Sequence, residues 1–288
     1  MTKGLVTVFG GSGFIGRYAA RELVKKGWRV RVACRHVNTA GDVRLAGPPG
    51  WVDIIQANIR NRESIERALE GADAVVNLVG IMFEKGAQTF ESAQSDAIST
   101  ATILRPSIVF ASEDEFFNRF AAMATSPLMS VLPLLPAIGG GSTRFQPVYA
   151  GDVAEAIAVA VDDAATAGKT YELGGPRIYT FNELYDVILE TIDKRRFKIP
   201  LPFFIAKPAG YLTAAVWRYI PPFSWGFLGD PPLTGDQVEM LKSDNVVADD
   251  ALTLKDLGVT ELETVEAIVP SYLWRFRDYG EFHKASEA

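Results

Sequence analysis

One cysteine and two histidines in 288 residues leave little of the usual equipment for metal or covalent chemistry. Cys34 has no partner for an internal disulfide, which fits a reducing compartment. His36 and His283 lie far apart, no His/Cys/Asp/Glu set has metal-ligand spacing, and no serine nucleophile motif occurs. No uncharged apolar run reaches the roughly 18 residues that a spanning helix needs. The net charge of −6 and a pI near 5.1 argue against nucleic acid as a partner, because a phosphate backbone demands a basic face. One local basic run, Lys194-Arg195-Arg196-Phe197-Lys198, remains as a contact for something acidic. Met1 stands four residues before the first apolar run, so if it is the true start, no charged leader or Arg-rich transit segment is expected. At 48% hydrophobic and 22% charged, the chain has the material for one large core or two modest ones.

What is present begins at once. The apolar run Leu5 to Phe9 leads into Gly10-Gly11-Ser12-Gly13-Phe14-Ile15-Gly16, and Ile15, Ala19, Leu23 and Val24 continue at helical spacing. A strand that turns sharply into a helix through glycines lets the backbone approach a pyrophosphate, and the helix N-terminus favours its negative charge. The strand before and the helix after raise this glycine pattern above a plain tight turn, and predict a dinucleotide site. The helix should run over residues 14–26 and stop at Gly27. The next strand, Arg29 to Cys34, ends in Arg35 rather than in the acid that would bond both ribose hydroxyls of NAD. A guanidinium there suits the 2′-phosphate of NADPH, and Arg17 offers a second positive charge to that phosphate or to the pyrophosphate.

The pattern then repeats. Val52 to Gln56 reads as a strand, residues 62–70 as a helix ending at Gly71, and Ala74 to Leu78 as a strand apolar enough to be covered on both faces. Asn58 and Ile59 fall where the sheet meets an adenine, and Leu78, Val79 and Gly80 fall at the cofactor cleft. These units predict an α/β fold with a doubly wound parallel sheet of the Rossmann kind. The expected division is a dinucleotide-binding domain at 1–175 and a smaller, mostly helical region at 176–288. In the second half, Asp152 is expected to cap a helix over residues 154–161, and Thr170 to Leu173 to form a strand. Capping boxes are expected at Thr180, Thr234 and Thr260.

The glycine turn resembles the extended, atypical short-chain dehydrogenase/reductases. Three later segments, Ala101 to Phe110, Glu113 to Phe120 and Gln146 to Ala154, resemble one branch of them, the NADPH-binding accessory subunits of respiratory complex I. The likeness covers most of the chain. It implies bound NADPH, with Pro106 joining the contacts above, and other complex I subunits as partners. It also implies a place near the junction of the hydrophilic and membrane arms.

In the wider superfamily a Tyr-x-x-x-Lys pair moves the proton as hydride transfers. None of the nine tyrosines here has a lysine four positions on. The 22 residues between Gly80 and Ile103 are also too few for the helix, strand and further helix that normally fill this interval. Either that block is lost, or the sequence joins residues that are not neighbours in the natural protein. Exposure of the sheet's flank favours the second. The span from Ile199 to Leu233 carries seven prolines and eight aromatics with three charges, a composition for core packing or for contact with a partner or membrane surface. The expected function is a non-catalytic complex I subunit with NADPH as structural cofactor, peripheral on the cytoplasmic face of a bacterial inner membrane. In a eukaryote the place would be the matrix side of the mitochondrial inner membrane. The alternative is a soluble NADP-dependent reductase or sugar-nucleotide epimerase of the same fold.

Overall fold

The computed structural model describes residues 2–79, 101–126, 133–219, 238–239, 241–278 and 280, with residues 213–219 by backbone only. In chain order the elements are β1 (Leu5–Phe9), α1 (Phe14–Lys25), β2 (Arg29–Cys34), β3 (Val52–Gln56), α2 (Arg62–Leu69), β4 (Ala74–Asn77), β5 (Ile103–Pro106), β6 (Val109–Phe110), α3 (Phe116–Thr125) and β7 (Leu134–Ile138). There follow β8 (Arg144–Phe145), β9 (Val148–Tyr149), α4 (Ala150–Asp162), β10 (Thr170–Leu173), β11 (Tyr179–Thr180), α5 (Phe181–Thr191), β12 (Phe197–Leu201), α6 (Phe203–Tyr219), α7 (Val265–Ile268) and α8 (Pro270–Leu273). They form two compact units, each built from three stretches of chain. The first holds residues 1–106, 148–173 and 248–262, and the second holds 107–147, 174–247 and 263–288.

The first unit carries a parallel sheet in the order β3-β2-β1-β4. Its strands are rich in β-branched residues, and Val6, Val8, Val30 and Val32 are fully buried, as a sheet covered on both faces requires. Side chains alternate along β1. Thr7 donates from Oγ1 to the Ala68 carbonyl at 2.8 Å, and Phe9 packs with Ala33, Ala57 and Ala68 beneath α2. Val6 and Val8 therefore point to the opposite face. Arg31 also donates to the carbonyls of Ala68 and Glu70, satisfying the frayed end of α2. α1 packs against α4. Gly27 and Gly71, at the ends of the first two helices, adopt left-handed φ of 94° and 69°.

Among the described residues the four-stranded sheet ends at β4, and β5 pairs in parallel with β10 instead of continuing it. Val75 on β4 is 52% exposed and Ile103 on β5 is 40% exposed, values out of keeping with central strands. α4 starts at Ala150, so Asp152 lies inside its first turn rather than at the cap, where its charge still suits the helix dipole.

The second unit is held by a cluster of rings. Phe116, Phe120, Phe181 and Tyr185 meet edge-on, with Phe120 and Phe181 centroids 5.3 Å apart. β7 pairs in parallel with β12, and β8 with β11 antiparallel. Thr180 and Glu183 form the expected capping box at the head of α5. Thr260 forms no capping box; the cap of α7 is instead Thr264, which accepts from the Ala267 N–H without a reciprocal side chain at N3. Thr234 lies outside the described residues. Ahead of α3, Asp114 accepts from the Phe117 N–H at 2.6 Å and from the Tyr272 hydroxyl at 2.5 Å, tying α8 to that helix start. Burial pushes the Asp114 carboxyl up to about 6, against these hydrogen bonds and that of the Asn118 N–H.

Candidate dinucleotide site

The turn between β1 and α1 is built of glycines because almost nothing else fits. Gly10 has φ of +75°, and a Cβ there would stand 3.1 Å from the Leu78 carbonyl carbon at the end of β4. At Gly16 a Cβ would fall 2.4 Å from the Gly10 carbonyl oxygen and 2.5 Å from Gly11 Cα. The Gly10 N–H bonds the Ala33 carbonyl and the Gly13 N–H bonds the Gly10 carbonyl, which fastens the turn to β2 and closes it on itself. α1 begins without a side-chain cap and without an acidic residue in its first turn, so its own sequence leaves the positive end of the helix open to an anion. Leu78 and Val79 lie beside the turn, the Leu78 N–H bonding the Phe9 carbonyl and the Val79 N–H the Asn77 Oδ1. Ser12 reaches the Cys34 thiol, which burial pushes up despite that bond and one from the His36 backbone.

The structure thus brings together Gly10, Gly11, Ser12, Gly13, Phe14, Ile15, Gly16, Arg17, Leu78 and Val79. Arg35 stands exposed at the end of β2 with no ion pair among the described residues. Arg17 Nε is buried without a hydrogen-bond acceptor, although Asp42 Oδ2 lies 3.2 Å away off the N–H direction. A cradle that admits no Cβ, a helix end open to an anion and an unsatisfied guanidinium donor together fit a nicotinamide dinucleotide. Asn58 serves locally: its Oδ1 accepts from the Arg60 N–H, and Ile59 beside it is exposed. Pro106 closes β5, whose described pairing is with β10. Gly80 lies outside the described residues.

Two features near the turn escaped the sequence reading. Tyr18, one helical turn beyond Phe14, meets that ring edge-on at 6.0 Å and Tyr149 at 6.1 Å. The i to i+4 spacing signals the first contact; only the fold brings Tyr149. The Asp42 carboxylate had no signal in sequence.

A glycine cradle at the first strand-to-helix turn of a parallel sheet is the Rossmann arrangement. Residues 2–110 match the NmrA-like family. The chain is 31% identical to the NADH dehydrogenase (ubiquinone) 1 alpha subcomplex subunit 9, mitochondrial, of Arabidopsis thaliana, over 88% of this chain and 74% of that protein. The mouse protein of the same description is 28% identical over 92% and 79%. The chain belongs to this subunit 9 family. Among solved structures, the NADPH-dependent quinone oxidoreductase of Escherichia coli complexed with NADPH superposes with a TM-score of 0.64 at 16% identity, covering 93% of this chain and 99% of that one. The triphenylmethane reductase of Citrobacter sp. gives 0.63 at 18%, again over 93% and 99%. These likenesses establish the fold. The Arabidopsis alignment spans 309 positions while using 88% of 288 residues, so the relative carries residues that this chain lacks within the matched span.

Proposed function

We propose that this protein is an accessory subunit of a respiratory NADH:ubiquinone oxidoreductase, holding NADPH as a structural cofactor rather than turning it over. The observation that carries this reading is the 31% identity to the Arabidopsis subunit across 74% of its length. The glycine turn would hold the pyrophosphate, Arg35 the 2′-phosphate, and Leu78 and Val79 would line the path toward the nicotinamide. NADPH supplies a hydride at the nicotinamide C4, but no Tyr-x-x-x-Lys pair is present to move the accompanying proton. Cofactor binding free energy then serves the fold, adding stability by mass action.

The contact with the complex is assigned to β12 and α6. Phe197 is 70% exposed, Phe204 77% and Leu212 66%, with Ile199, Ile205 and Tyr211 beside them in sequence. That is more apolar exposure than a lone soluble surface carries in so short a stretch. The neighbouring basic run is largely spent internally. Lys194 pairs with Asp278 and Lys198 with Asp186, each at 2.6 Å, and Arg196 donates to the Ala124 carbonyl. Apolar docking on a partner subunit or at the membrane surface therefore outweighs attraction to anionic headgroups. Among the described residues no helix is long and apolar enough to cross a membrane. The attachment we propose is peripheral, on the face of the inner membrane where the NADH-oxidising arm lies. The test is native gel electrophoresis of solubilised membranes: the tagged protein should comigrate with NADH-oxidising activity. A free species that reduces a small carbonyl with NADPH would favour the reductase alternative.

A further inference from the structure

Asp42 sits in the 3-10 turn Gly41–Ala46 that follows β2. Ala40 and Val43 are buried on either side of it, and at Gly47 a Cβ would stand 2.6 Å from Val24 on α1. The turn is thus pressed onto the helix that carries Arg17. Its carboxylate lies 3.2 Å from Arg17 Nε, yet the geometry yields no hydrogen bond. The pairing offsets part of the charge of Arg17 and leaves its Nε donor unsatisfied. Arg35 is in the opposite state, exposed and outside every ion pair among the described residues. Of two cations placed for a nucleotide phosphate, one is free and one is already partly compensated.

We propose that Asp42 withholds Arg17 from the cofactor and so limits the preference for a 2′-phosphorylated dinucleotide. This rests on the NADPH reading above. A nucleotide bearing the 2′-phosphate must draw the guanidinium away from a fixed carboxylate; one without that phosphate has no such competition. Asn at position 42 keeps the size and removes the charge, releasing Arg17 as a second free cation. Asp42 is half exposed, so the substitution leaves the core intact.

The experiment is calorimetric titration of the full chain with NADPH and with NADH, for wild type, Asp42→Asn, Arg17→Ala and the double variant. Asp42→Asn should bind NADPH about three- to tenfold more tightly, with NADH unchanged, and the gain should shrink as salt is raised. In the Arg17→Ala background the gain should vanish. Unchanged or weaker NADPH binding in Asp42→Asn overturns the proposal, as does a gain that persists without Arg17. Wild-type protein with no preference for NADPH over NADH would instead contradict the cofactor reading on which the proposal rests.

Discussion

Arg35 is exposed at the end of β2 with no ion pair among the described residues, where a carboxylate would have marked NAD. Arg35→Ala should weaken NADPH by tenfold or more, about 1.4 kcal/mol or above, and NADH by much less, as read by titration. Equal losses would remove Arg35 from the phosphate site. Asp114 gives a second test at the same scale. Its carboxyl is raised from the ordinary 3.8 to about 6, so between those values the folded protein binds more protons than the unfolded one. Stability therefore falls as pH rises from about 4 to about 6 and is level above, a loss of at most about 3 kcal/mol. Asp114→Asn should flatten that fall in melting temperature, whereas Asp114→Ala should cost about 1–3 kcal/mol at all pH by stripping the α3 start and Tyr272 of their acceptor. A slope that survives in the Asn variant assigns the dependence elsewhere. Single residues were legible where one residue type alone satisfies the backbone, as at Gly10 and Gly16. Asp42 and Tyr149 were not, because their partners are chosen by the fold and not by spacing.

Elements were legible where period and punctuation agree. β1 to β4 and the helices between them follow their runs to within a residue, and Thr170–Leu173 is the strand its alternation predicts. α4 instead opens four residues early at Ala150, because buried Ala150, Val153 and Ala154 draw the backbone into the helix before its acidic residue. α6 was hidden by composition: its interior Pro208 lacks an N–H and argues against a helix, yet the helix passes through it. Packing of Ala206 with Ile138 and Val238 supports that passage. The opposite side of the helix, with exposed Phe204 and Leu212, is the surface we propose for docking. The double variant Phe197→Glu, Phe204→Glu should leave the melting temperature of the free protein within a few degrees of wild type. It should also weaken association with isolated inner membranes about tenfold or more, since each fully buried aromatic contributes about 1.5–3 kcal/mol. Undiminished association would put the contact elsewhere.

On the scale of the whole molecule, the Rossmann sheet was legible in the sequence. The 22 residues between Gly80 and Ile103 are fewer than the usual helix, strand and helix need, and among the described residues β4 edges the four-stranded sheet while β5 pairs with β10. The two compact units, by contrast, were not legible, because they are assembled from stretches far apart in sequence. If a block is missing between Gly80 and Ile103, the intact mass of the natural protein should exceed 31.4 kDa by several kilodaltons; a mass at that value would contradict the missing block. A resident NADPH inside a respiratory assembly is tested most directly by purification of the tagged protein from native membranes in mild detergent, with copurifying chains and released nucleotide identified by mass spectrometry. Subunits of the NADH:ubiquinone oxidoreductase together with about one equivalent of NADPH per tagged chain is the predicted result. A protein recovered alone, free of nucleotide and active as a soluble reductase, would contradict it.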